Sequence, residues 1–88
     1  MRIRNDLAVA VTTTAQDVDI QYRDFLIVNC GESVVYFRDK DLDGKDVTAE
    51  TGFAVMPKSA LPYPMTASVL SIIGEGDADV RLLFVDIV

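Results

Sequence analysis

Histidine and tryptophan are absent from this chain of 88 residues, and cysteine occurs once, at Cys30. Without histidine there is no imidazole to act as general base, and the commonest zinc ligand is missing. Ser-His-Asp and Cys-His arrangements are therefore excluded. One cysteine allows no intrachain disulfide, so the chain is not a disulfide-stapled secreted module. Cys30 follows Leu26-Ile27-Val28-Asn29 and reads as a small half-buried residue at a strand end. Basic residues are few, 8 against 14 acidic ones, for a formal charge of −6. Phosphate neutralisation needs a Lys/Arg surface, so nucleic acid is not the expected partner. No apolar run approaches the ~20 residues of a membrane-spanning helix. No apolar stretch with a small-residue cleavage site opens the chain, and the expectation is synthesis and use in a reducing cytoplasm or in a particle assembled there.

Apolar residues, by contrast, are plentiful: they make up 50% of the sequence, with a mean hydropathy of +0.26. A domain this small has a thin core and hides only about two thirds or less of the surface of its unfolded chain. The surplus predicts a covered surface, by self-association, by attachment to a larger assembly, or both. Val, Ile, Leu, Phe and Tyr gather in short runs separated by Gly, Pro, Asn and Asp, an all-β pattern. Leu7, Val9 and Val11 alternate with Ala8, Ala10 and Thr12, and Val18 to Tyr22 alternates apolar with polar. Asp24 to Asn29 and Ser33 to Arg38 are apolar on both faces, and Cys30-Gly31-Glu32 between them suits a tight hairpin, which predicts two central paired strands. Gly52 to Met56 forms a short strand, whereas Pro57, Pro62 and Pro64 argue against a ladder in the segment that follows. Thr66 to Ile73 and Asp79 to Val88 complete the strands, and the last is apolar on both sides. No segment keeps helical spacing for the length a stable helix needs. The expected fold is all-β: a small antiparallel β-sandwich of jelly-roll or Greek-key type with about 7–8 short strands. It would span residues 6–88 as a single domain behind a basic N-terminal arm, residues 1–5.

Asp39 to Glu50, DKDLDGKDVTAE, matches the calcium-loop pattern D-x-[DN]-x-[DN]-G-x5-E. In that role Asp39, Asp41 and Asp43 supply carboxylates, Lys45 its carbonyl, Gly44 the sharp turn and Glu50 a bidentate carboxylate. The flanks are strand sequences rather than helices, Asp46 occupies a position that is apolar in paired hands, and there is no second hand. Two readings stand: a weak Ca²⁺ site, and an acidic hairpin connection turning at Asp43-Gly44 whose charges discourage edge-to-edge aggregation. No other cofactor is expected. Tyr63, between Pro62 and Pro64, and the pair Arg2 and Arg4 in the N-terminal arm are the candidate partner-binding residues.

The succession Thr12-Thr13-Thr14-Ala15, Phe25 to Gly31, Ser33 to Phe37 and Thr66 to Gly74 resembles the small β-sandwich proteins of tailed-phage virions, head decoration (cement) proteins above all. Those proteins carry a strand ending in an I-x-N-x-G turn, a V-Y-F/I-R strand, a Pro-containing loop and a late strand pair. The resemblance covers Leu7 to Val88 and contains no catalytic or ligand motif. It implies a non-enzymatic structural protein on the capsid surface, a homo-oligomer with the trimer as the foremost form, bound to major capsid protein. Within virions the alternative is a tail or head-to-tail junction component. Two other classes are a calcium-dependent carbohydrate-binding module, with Tyr63 as stacking platform, and a bacterial scaffold or adaptor subunit.

Overall fold

The structure, a computed structural model, describes residues 2–21, 23–63 and 68–86. Alternation of apolar and polar side chains builds eight strands: β1 (Arg2–Val11), β2 (Gln16–Asp19), β3 (Phe25–Asn29), β4 (Val35–Asp39), β5 (Phe53–Val55), β6 (Ser59–Tyr63), β7 (Val69–Gly74) and β8 (Ala78–Asp86). Among the described residues one 3-10 turn, Lys40–Leu42, follows β4. The strands form two four-stranded sheets, ordered β1-β8-β3-β6 and β2-β7-β4-β5, and every recorded pairing is antiparallel. This order is that of a jelly roll, in which the chain passes from sheet to sheet at nearly every connection.

The period of two decides what lies between the sheets. Val9, Val11, Phe25, Ile27, Val80, Leu82 and Phe84 face inward from the first sheet, and Val18, Val35, Phe37, Val55, Leu70 and Ile72 from the second. Phe25 and Phe37 meet edge to face across the gap, with ring centroids 6.0 Å apart. At one end Arg23 lies over the ring of Phe84, 3.8 Å from its centroid, while its Nε donates to Ile20 O.

Three features depart from the sequence reading. First, β3 and β4 are each central but belong to different sheets, so Cys30 to Val34 is a corner and not a hairpin. Gly31 allows it by lying flush on β8: a Cβ there would sit 2.8 Å from that of Ala78. Buried Asn29 fastens the corner, its Nδ2 donating to Ser33 O at 2.7 Å and Val55 O at 3.0 Å while its Oδ1 accepts from Gly31 N–H at 2.9 Å. Second, the proline-rich segment contains β6, paired with β3 alone. Pro62 is accommodated because β6 is an edge strand, with no second neighbour among the described strands to require its missing N–H. Third, the basic arm is strand: residues 2–5 continue β1 along β8, with a register shift between Ile3 and Asn5.

Candidate functional site

The two outer sheet faces differ. On the β2-β7-β4-β5 sheet the residues between β4 and β5 fold back as a strap over the outward side. Val47 anchors it: the side chain is buried, outside the main core cluster, and its N–H donates to the buried Ser71 Oγ at 3.0 Å. Gly52 lets the strap return flat onto β4, since a Cβ there would lie 2.5 Å from Val47 Cγ2 and 3.1 Å from Phe37 O. Charges fix the rest. Lys40 Nζ reaches both carboxylate oxygens of Asp17 on β2 at 2.9 Å and Asp46 at 3.1 Å, and these contacts raise its pKa above the ordinary lysine value. Asp41 accepts from Ser68 N–H at 3.0 Å, and Arg38 pairs with Asp43 at 3.2 Å. The Asp43 carboxyl is held below its usual range first by the Lys45 N–H that it accepts, then by the charge of Arg38. Beside the strap, Tyr36 Oη donates to Glu75 at 2.6 Å, which raises the phenol's pKa.

These contacts decide how the calcium-loop pattern is used. Asp39 is buried and accepts from Asp41 N–H at 2.8 Å, Asp41 turns to Ser68, and Asp43 turns to Arg38 and Lys45. Lys45 and Glu50 are exposed, and among the described residues no three acidic or thiol groups are grouped so as to hold a metal ion. In this arrangement the carboxylates of Asp39, Asp41 and Asp43 are engaged with internal donors. The pattern matched residue types, while the loop spends them on capping and cross-links. Gly44 does take the left-handed conformation, φ +72°, closing a turn by donating to Lys40 O at 2.8 Å.

The outer face of the β1-β8-β3-β6 sheet has no such strap among the described residues. Register places Ala8, Arg81, Val28 and Ala60 in one row, and Asp6, Leu83, Leu26 and Pro62 in the next. Ala10 and Asp79 pair beside them, and Val85 lies two residues beyond Leu83 on the same side. Leu26, Val28, Leu83 and Val85 are half-buried; Ala8, Ala10, Ala60 and Pro62 are exposed. The result is a largely apolar face whose charged groups among the described side chains are Asp6, Asp79 and, near its middle, Arg81, held loosely to Asp79 at 3.4 Å with both side chains about half in water. No known protein family, curated protein or solved structure matches the chain. The face itself must therefore carry the functional argument.

Around the β6 edge the apolar surface continues onto the flank of the sandwich. Phe53 packs on Phe37 with centroids 5.7 Å apart yet remains 51% exposed, and Met56 in the β5–β6 turn is 53% exposed. That turn places Lys58 at φ +59° after Pro57, and the Lys58 Nζ donates to Cys30 O at 2.7 Å. At the same strand end, where Glu32 pairs with Lys58 at 3.2 Å, Ala10, Thr12, Gly31, Glu32, Asp77 and Asp79 help to line an open depression of about 520 Å³. Its polar groups are carboxylates and a hydroxyl.

Of the residues singled out from sequence, Tyr63 ends β6 opposite Phe25 rather than standing in a loop, and Arg2 and Arg4 lie in β1; their side chains lie outside the described residues. Cys30 is half-buried, its N–H donating to Asp79 O at 2.8 Å. Sequence reasoning missed the strap and its anchor Val47, and it missed Ala60 and Pro62 as part of a face. For the face a signal existed, since β3 and β8 are apolar on both sides and a strand with one wet face is not.

Proposed function

We propose that the chain is a non-enzymatic structural component of a tailed-phage head, a decoration protein that reinforces the capsid as a homo-oligomer bound to major capsid protein. It would be made in the host cytoplasm and end on the capsid surface. The observation that carries this reading is the apolar outer face of the β1-β8-β3-β6 sheet, over which no strap lies among the described residues. The chain spends an entire strap, with an ion-pair network, on covering one outer sheet face, and among the described residues no such strap lies over the other. Contiguous apolar surface of this kind marks a protein contact. The jelly roll adds support because capsid domains use it, although lectin domains and cupins use it too, so the fold alone does not decide. Resemblance to head decoration proteins in strand and turn order points the same way. A calcium-dependent sugar module fits less well, because the acidic loop has its carboxylates bound internally. A tail or head-to-tail junction role would use the same face and differs in copy number.

The test is co-sedimentation of purified chain with empty shells assembled from a tailed-phage major capsid protein of the same genome. Saturable binding that leaves shells more resistant to heat or chelation supports the reading. Shells that neither bind the chain nor gain resistance argue against it.

A further inference from the structure

The longest strand of the fold lies at a sheet edge. β1 runs for 10 residues, Arg2–Val11, and has β8 as its only neighbour among the described strands. Open edges are templates for pairing, and proteins blunt them with short strands, proline, charge or bulges. The other three edges follow that rule: β2 has 4 residues, β5 has 3, and β6 has 5 with Pro62 among them. β1 contains no proline, and its stretch Leu7-Ala8-Val9-Ala10-Val11 carries no charge. Its one register shift falls earlier, between Ile3 and Asn5. We propose that this edge binds an extended segment of a partner protein, which adds as a further strand beside β1 with a β-branched residue next to Leu7 and a basic residue next to Asp6.

Register shows which backbone groups face the open side. Asp79 O accepts from Cys30 N–H at 2.8 Å and Val85 N–H donates to Asp24 O at 3.1 Å, so Asp79, Arg81, Leu83 and Val85 turn their peptide groups toward β3. Their partners Ala10, Ala8 and Asp6 therefore turn theirs away from β8. The chain closes one end of this edge itself: Gln16 Nε2 donates to Ala10 O at 2.9 Å, and Gly74 N–H donates to Thr12 O at 2.9 Å. Beyond that point the Ala8 N–H and C=O meet no strand among the described residues.

The side chains set the chemistry of the occupant. Leu7 pairs with fully buried Leu82 and belongs to the inward row of Val9 and Val11, yet it is 39% exposed. An added strand places a side chain beside it on that inward side, and a β-branched residue suits such a half-buried position. The adjacent outward position meets exposed Asp6, in a chain of net charge −6, so a lysine or arginine there gains a favourable cross-strand contact. Main-chain bonds then supply affinity and alternate side chains supply selectivity. A second copy of β1 fits less well. Pairing β1 with its own image about Asp6 or Leu7 sets the two Asp6 carboxylates opposite or diagonal to each other, and pairing about Ala8 calls on Ala10 O, which Gln16 already holds.

The probe is a short synthetic peptide in which valine alternates with lysine and threonine, titrated into the isotope-labelled full chain and followed by NMR. Binding should saturate, shift the amide signals of Asp6, Ala8 and Ala10, and slow hydrogen exchange at Ala8 by about 10-fold or more. Ala8→Pro removes the open-side N–H without breaking a bond to β8, so it should melt near the wild type and bind about 10-fold more weakly or worse. Ala8→Thr keeps the N–H and should bind as the wild type does. If Ala8→Pro does not fold, the exchange rate at Ala8 in the wild-type chain decides alone. The site is overturned by any of four results: no binding at millimolar peptide, shifts confined to other strands, an Ala8 exchange rate that saturating peptide leaves unchanged, or a folded Ala8→Pro chain that binds like the wild type. Protection of Ala8 that grows with protein concentration in the absence of peptide overturns it too, by giving the edge to a second copy. The capsid reading stands or falls separately, on binding to shells.

Discussion

Removing the side chain of Asn29 should cost more stability than any exposed change of the same size, because three contacts converge on it. Its Nδ2 serves Ser33 O and Val55 O, and its Oδ1 takes Gly31 N–H, at 2.7, 3.0 and 2.9 Å. The bond to Val55 O is buried, so Asn29→Ala leaves a carbonyl that water does not readily reach, at about 1–3 kcal/mol. The other two bonds are partly buried and contribute about 0.5–1 kcal/mol each. The expected loss is about 3 kcal/mol, which for a domain of this size lowers Tm by roughly 12–24 °C. Urea unfolding followed by circular dichroism, with the slope held constant, reads it directly. Asn29→Asp keeps the acceptor for Gly31 but turns an acceptor toward two carbonyls. Burial and those carbonyls would raise the introduced carboxyl's pKa, so the folded state holds its proton more tightly and the penalty shrinks as pH falls. A loss below about 0.5 kcal/mol for Asn29→Ala would refute the claim that this side chain locks the corner to β5.

Three further outcomes follow from the strap. Val47→Ala should loosen it at a cost of about 2 kcal/mol, seen as faster proteolysis between Lys40 and Gly52 before the sheets unfold; cleavage at the wild-type rate would contradict the anchor. Millimolar Ca²⁺ should leave Tm where an EDTA control puts it, and a rise of several degrees would show that the carboxylates of Asp39, Asp41 and Asp43 exchange their internal donors for an ion. Lys40 and Tyr36 both hold their protons more tightly in the folded chain, Lys40 through Asp17 and Asp46, Tyr36 through Glu75. Their contributions are complete below the ordinary values of 10.5 and 10.0 and fade as pH rises through the raised folded values. Hydrogen exchange in the strap should therefore accelerate in that alkaline window ahead of the core, and uniform acceleration would contradict this assignment.

How far the sequence carries the fold depends on what each pattern encodes. Alternation in Leu7 to Val11 and Val80 to Phe84 separates inner from outer side chains because the pleat is strictly two-fold, and the structure has the same residues inside, Leu7 excepted at 39% exposure. Alternation carries no information on which sheet a strand joins. The corner after Asn29 thus looks like a hairpin until Gly31 is seen against Ala78. Proline cues fail at Pro62 because the prohibition on ladders lapses at an edge. In the acidic loop the strand-like flanks were legible and stand as β4 and β5, whereas the internal donor that each aspartate takes up was not. The outer face was legible as a surplus, through β3 and β8 being apolar on both sides. Its extent needed register, which brings Ala8, Arg81, Val28 and Ala60 into one row from four distant segments.

The proposed capsid role is tested most directly by quantitative mass spectrometry of tailed-phage particles purified from cells that carry the gene for this chain. A decoration protein must be present in a copy number comparable to that of the major capsid protein, and that is the expected result. A handful of copies per particle would move the chain to the tail or the head-to-tail junction, and its absence from virions would contradict the structural role altogether.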